Sequence, residues 1–131
     1  MKKVKRTERG WAGHFICAQD CFFRRNTLVE LGNVSVVVST VGLMRRQVNG
    51  EYEKPQEIGY DRFYETMSFM ADDSVYRDAN VSLEINPIDT KWRISGKEMK
   101  EQGDSIDNVA NDMHENYVNV IEKMLINGEI E

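Results

Sequence analysis

Residues 22–41 read FFRRNTLVELGNVSVVVSTV. Two runs rich in β-branched and aromatic residues, 22–31 and 34–41, are separated by Gly32-Asn33. A two-residue connection of that kind between two such runs predicts a tight antiparallel hairpin. The run Val36-Val37-Val38 is β-branched throughout and suits a buried central strand.

Working outward, residues 10–18 alternate loosely around Trp11, Phe15 and Ile16 and predict a strand before the hairpin. Residues 45–58 are polar, with Asn49-Gly50 and Pro55, and predict a loop. Residues 60–70 predict another strand, with Phe63, Glu65, Met67 and Phe69 on one face and Arg62, Tyr64, Thr66 and Ser68 on the other. Residues 75–85 predict a last strand, ending before Pro87. Lys3, Lys5 and Arg6 read as a loose, solvated N-terminus.

The period then changes. Ile106, Val109, Ala110, Met113, Tyr117, Val120, Ile121, Met124 and Leu125 follow steps of three and four, the stripe of an amphipathic helix of about five turns. Asp104 or Ser105 suits its N-cap and Gly128 its stop, giving a helix over about 105–127. The whole chain, 1–131, reads as a single α+β domain, a small antiparallel β-sheet followed by a long C-terminal amphipathic helix. The stripe either lies wholly on the sheet or packs against a second copy, so a homo-oligomer is an expectation.

Composition narrows the function classes. With 40% hydrophobic and 30% charged residues, two Pro and nine Gly, the 131 residues suit one folded soluble domain and not a disordered chain. A net charge of -5 counts against coating a nucleic acid polymer, which needs a broad basic face. It leaves room for a small anion in a pocket lined by a few arginines. No apolar run approaches the ~18 to 20 residues of a membrane span, and the basic N-terminus lacks the apolar segment of a signal peptide. A cytoplasmic location with reduced thiols at Cys17 and Cys21 is the expectation.

Catalytic and metal motifs are sparse. His14, Cys17 and Cys21, with His114 as a fourth ligand, have the right chemistry for zinc. Their spacing matches no zinc knuckle, and His14 and Cys17 point to opposite faces of a strand, so no metal is expected. A Cys nucleophile with a His base lacks an identifiable orienting group. Phosphate loops and the common hydrolase motifs are missing from the sequence. Phe22-Phe23-Arg24-Arg25-Asn26-Thr27 remains. Guanidinium groups pair bidentately with phosphate, Asn26 can read a base edge, and an aromatic ring can stack on the base. Arg24 and Arg25 face opposite sides of a strand, so at most one enters a given pocket. The competing reading is a solvated strand face making cross-strand ion pairs.

The stretches ERGWAGHFICAQDCFFRRNTL (8–28), VVVSTVG (36–42) and IGYDRFYETMSF (58–69), with ANDMHENYV (110–118), carry a resemblance. The chain resembles the first family of phage anti-Thoeris proteins, nucleotide sponges that defeat the bacterial Thoeris defence. The resemblance implies non-catalytic sequestration of glycocyclic ADP-ribose, the signal that a TIR-domain enzyme makes from NAD, in the cytoplasm of the infected bacterium. It implies a small antiparallel sheet with a C-terminal helix, no cofactor, and a homo-oligomer, dimer or hexamer. A second site for the cyclic di- or trinucleotides of CBASS defence is a further implication. The matching motifs point to Trp11, Arg24, Arg25, Asn26, Tyr64 and Phe69 as ligand-binding residues. Trp92 and Arg93 form a second aromatic-cationic pair outside the matching blocks. The alternatives are a hydrolase of the same nucleotides using His14 or His114 as base, and an interaction module that blocks a host protein.

Overall fold

The central hairpin forms where the sequence places it. In the computed structural model, which describes residues 3–15 and 18–130, the strands are β1 (Lys5–Glu8), β2 (Cys21–Leu31), β3 (Val34–Met44), β4 (Gln47–Val48), β5 (Glu51–Tyr52), β6 (Tyr64–Ala71), β7 (Ala79–Ile85) and β8 (Arg93–Ile94). Helices α1 (Gly96–Gln102) and α2 (Ile106–Ile126) follow. The main sheet has the order β1-β2-β3-β6-β7, with β8 also on β6, and every pairing is antiparallel. Gly32 has φ 61 while Asn33 stays negative, the pattern of a type II′ hairpin turn. Val36, Val37 and Val38 are fully buried, because β3 is central and covered on both faces.

Four expectations are corrected. Residues 10–15 are not a strand but an irregular strap; Ile16 and Cys17 lie outside the described residues. The first strand is instead β1, in the segment expected to be loose. It is ordered because Lys5–Glu8 pairs with Thr27–Glu30 of β2 and because Arg6 bonds Glu122 and Asn119 of α2. The polar loop contains the small β4–β5 hairpin, turned at Asn49-Gly50 with φ 52 and 82, the positive pair that a type I′ turn demands. Residues 75–78 lie outside β7, and β8 rather than β7 is the last strand in chain order.

Helix α2 spends its apolar stripe on the sheet of its own chain. Ile121, Leu125, Val118 and Tyr117 pack on Val29, Val36 and Val38, while Ile106, Ala110 and Met113 pack on Phe23, Tyr64 and Ile94. Ser105 occupies the N-cap, but its hydroxyl turns back to the Gln102 carbonyl at 2.8 Å. Gly128, φ 72, closes the other end: its N–H reaches the Leu125 carbonyl and that of Glu129 the Met124 carbonyl, a Schellman motif.

A buried polar seam fixes how the helix sits. His114, wholly enclosed, bonds Thr27 and Thr40, each at 2.7 Å. Thr27 donates to Glu8, whose carboxylate can only accept, so His114 Nε2–H donates to Thr27. Thr40 must then donate to Nδ1, and Thr66 donates to Thr40. One run of hydrogen bonds thus crosses the sheet from β6 to β1 through the helix histidine.

Candidate functional site

β2 alternates, so its two arginines part company. Arg25 turns to the helix face, where it holds Glu8 through two 3.0 Å bonds and Glu115 at 2.7 Å. Burial opposes its charge, but those carboxylates outweigh burial and raise its pKa. The same bonds, with that of Thr27, overcome burial at Glu8 and lower its pKa. Arg25 thus makes the ion pairs of the competing reading. Tyr64 shares the helix face, buried, its hydroxyl donating to Asp107 at 2.7 Å. Neither is placed to meet a ligand on the opposite face.

Arg24 turns to that opposite face and is exposed. Register aligns it in a cross-strand row: Arg24 beside Val41, Val41 beside Glu65, Glu65 beside Arg93. Three strand spacings separate the row's ends, about 14 Å. Arg24 and Arg93 have no carboxylate partner among the described residues. Arg62 stands beside Glu65 and bonds its carboxylate. Sequence periodicity assigned Arg62 to the Tyr64 face. The strand begins only at Tyr64, and Arg62 sits in a turn with positive φ at Tyr60 and Asp61, which brings it round to Glu65. Arg62 lies 5.7 Å over the Tyr60 ring and Arg93 5.9 Å over that of Trp92, so two cation–π pairs stand side by side.

Trp92 borders two cavities. One, of about 420 Å³, opens between β7 and β8 and is lined by Arg62, Glu65, Glu84, Asn86, Thr90 and Trp92 among others. The second, about 540 Å³, shares Pro87, Thr90 and Trp92 and adds Lys91 and Arg93 with Asp89 and Glu98, Lys91 being paired to Glu98 at 2.7 Å. Trp92 therefore stands as a partition with a cationic group on either side. Both volumes fall in the ordinary range for small-molecule sites.

The strap, residues 10–15, covers the next row of the same face. Before it, Arg9 donates to buried Asn26 Oδ1 at 2.9 and 3.1 Å, reaches the Tyr76 and Arg77 carbonyls, and lies 5.1 Å over Trp11. Asn26 is thereby occupied, and Phe69 is buried under His14, their rings 5.9 Å apart. Gly13 N–H donates to Ser39 Oγ at 3.0 Å, Ser39 bonds His14 Nδ1 at 2.7 Å, and His14 Nε2 faces Glu65 at 3.4 Å. This supplies the orienting carboxylate that the sequence did not reveal, in the order Ser, His, Glu. Ser39 is fully buried beneath Gly13, so the arrangement tethers the strap as it stands. Burial opposes the charge on Glu65, but His14 and Arg62 outweigh it and lower its pKa.

Of the sequence-derived set, Arg24 and Arg93 stand at the two ends of one row, and Trp92 and Arg93 line its cavities, which Arg24 does not reach. Trp11 is exposed at the strap; Asn26 and Phe69 lie beneath it, and Arg25 and Tyr64 are on the other face. Arg62, Tyr60 and Asn86 were missed, although Tyr60 and Arg62 lie within the IGYDRF stretch. His14 and His114 sit on opposite faces of the sheet and cannot share one ion. Among the described residues no cluster suited to a metal occurs, and Cys17 lies outside them. No family model, curated protein or solved structure matches the chain.

Proposed function

We propose that the chain is a non-catalytic sponge for a small anionic nucleotide of the cyclic ADP-ribose type, glycocyclic ADP-ribose, acting against Thoeris defence. The observation that carries this reading is the row Arg24–Glu65–Arg93 with Arg62 at its centre, opening on cavities divided by Trp92. Along the row itself three guanidinium groups accompany one carboxylate, Glu65, while the cavities also carry Glu84, Asp89 and Glu98, so the phosphates would be met at the row and not deep in the cavities. Guanidinium groups suit the two phosphates, and the Trp92 ring suits the adenine. Asn86 and Glu84 offer an amide and an acceptor for base edge and ribose hydroxyls. Sequestration acts by mass action: a nanomolar Kd, about -12 kcal/mol, holds free signal low when sites exceed signal.

The test is isothermal titration with glycocyclic ADP-ribose, then heat denaturation and mass analysis of the released molecule. Tight stoichiometric binding with intact ligand recovered is expected. Arg93→Glu and Arg24→Glu should each weaken binding roughly 10- to 100-fold at unchanged melting temperature. No heat of binding refutes the reading, and ligand consumed beyond stoichiometry replaces it with a hydrolase.

A further inference from the structure

The cavity between β7 and β8 owes its existence to one residue. β7 pairs Glu84 with Phe69 and Ile85 with Ser68. The same register carried on would set Pro87 against Thr66, and proline has no N–H for the ladder. The chain turns away there, and the Thr66 N–H bonds the Trp92 carbonyl instead, at 2.7 Å. The ladder on β6 is thus interrupted between Ile85 and Trp92, and the cavity of about 420 Å³ lies at the interruption, with Thr66, Met67, Pro87 and Trp92 on its lining. Its walls are uneven in chemistry. Arg93 lies over the Trp92 ring and lines the second cavity but not this one, so the ring face turned to this cavity carries no cation. Glu84 has no ion-pair partner among the described residues. Burial raises the pKa of the Tyr117 hydroxyl on the same lining, and the Glu84 charge adds to that rise. The Thr90 hydroxyl already donates to the Ile88 carbonyl, so it is left to accept. Arg62 is the one cation on the lining and is bonded to Glu65.

We propose that this cavity binds a neutral polyhydroxylated ring, a furanose or pyranose, laid on the uncovered face of Trp92. The C–H face of such a ring is apolar and weakly positive, and it meets the negative face of the indole. Met67 and Pro87 extend that apolar wall. The hydroxyls serve the polar wall: they donate to Glu84 and Thr90, and both donate to and accept from Asn86. An ionised carboxylate can only accept, which suits two neighbouring hydroxyls. The edge of adenine instead sets one amino donor beside ring-nitrogen acceptors, which a carboxylate repels. Two carboxylates against one guanidinium leave the lining negative, so a ring that is itself anionic is disfavoured. The inference does not depend on the nucleotide reading. In that reading the ring is a ribose and the base takes the other side of Trp92; a free hexose offers the same chemistry.

The experiment is an NMR titration of the indole N–H signals of Trp11 and Trp92, the two tryptophans of the chain, assigned with Trp11→Phe. The probes are D-ribose, D-glucose, ribose 5-phosphate and adenine, each added alone. The Trp92 signal should shift saturably with ribose or glucose, with a Kd on the order of millimolar, while that of Trp11 stays in place. Glu84→Ala and Asn86→Ala, both exposed positions, should each weaken the sugar about tenfold at unchanged melting temperature. Stronger binding of ribose and its phosphate than of glucose assigns the ring to a nucleotide, and the reverse order assigns it to a free hexose. No Trp92 shift with either sugar, equal shifts at Trp11 and Trp92, a stronger response to adenine than to ribose, or sugar binding unaltered by Glu84→Ala would each overturn the proposal. If ribose binds and glycocyclic ADP-ribose does not, the nucleotide reading falls and the ring site stands.

Discussion

Stability below neutral pH should be governed by His114. Burial, and then the charge of Arg25, push its pKa from 6.5 down to about 4, against the opposing pull of Glu8 and Glu115. The unfolded chain takes up a proton as pH drops through 6.5; the folded chain does so only near 4. Stability is therefore complete above 6.5 and falls as pH falls through that window. At about 1.4 kcal/mol per pH unit, the gap between 6.5 and about 4 is worth about 3 kcal/mol in all. Glu8 and Glu65 have lowered pKa values and add a loss of the same sign, but only on approach to their ordinary 4.5. The informative range is thus pH 7 to 5. Urea unfolding across it should show stability falling by about 1 kcal/mol per unit or slightly more. In His114→Gln the amide accepts from Thr40 and donates to Thr27 without titrating, so this slope should largely vanish. Equal slopes in the two proteins, or a His114 titration by NMR near 6.5, would refute the reasoning.

Other substitutions separate folding from binding. Arg25→Ala should cost roughly 1–3 kcal/mol by stripping Glu8 and Glu115 of their bonds, whereas Arg24→Ala should leave the urea midpoint alone; the reverse order would show that the faces are misassigned. Gly13→Ala would place a Cβ 2.7 Å from the Ser39 Cβ, so the strap should lift, with a lower melting temperature and a changed His14 NMR signal; an unchanged signal would count against the tether. Gly42→Ala meets the Tyr64 ring at 2.3 Å, in a core that cannot yield, and should cost upwards of about 2 kcal/mol in thermal unfolding.

Local patterns carried much of the architecture. The Gly32-Asn33 hairpin and the helix stripe were legible because each depends on periodicity and turn chemistry within a short window. The β1 strand was not. Lys5 and Arg6 read as solvated ends, and only pairing with β2 and the reach of Arg6 to Glu122 make that segment a strand. The strap failed for the opposite reason. Trp11 and Phe15 suggested a strand, but residues 10–15 have no ladder partner and are held by Arg9, Gly13 and His14.

The candidate site divides the same way. That Arg24 and Arg25 oppose each other follows from the two-residue period of any strand, and so could be read from sequence alone. Which of them faces a ligand depended on where α2 lay, a matter of packing between residues some ninety positions apart. Trp92 and Arg93 were visible as a pair, but that Arg93 shares a cross-strand row with Glu65 and, at its far end, Arg24 is a consequence of strand register. The amino-acid order determined the elements and their alternating faces, because those arise from neighbouring residues. Tertiary structure alone decided which cations were neutralised and which were left open, because charge pairing depends on distance in space.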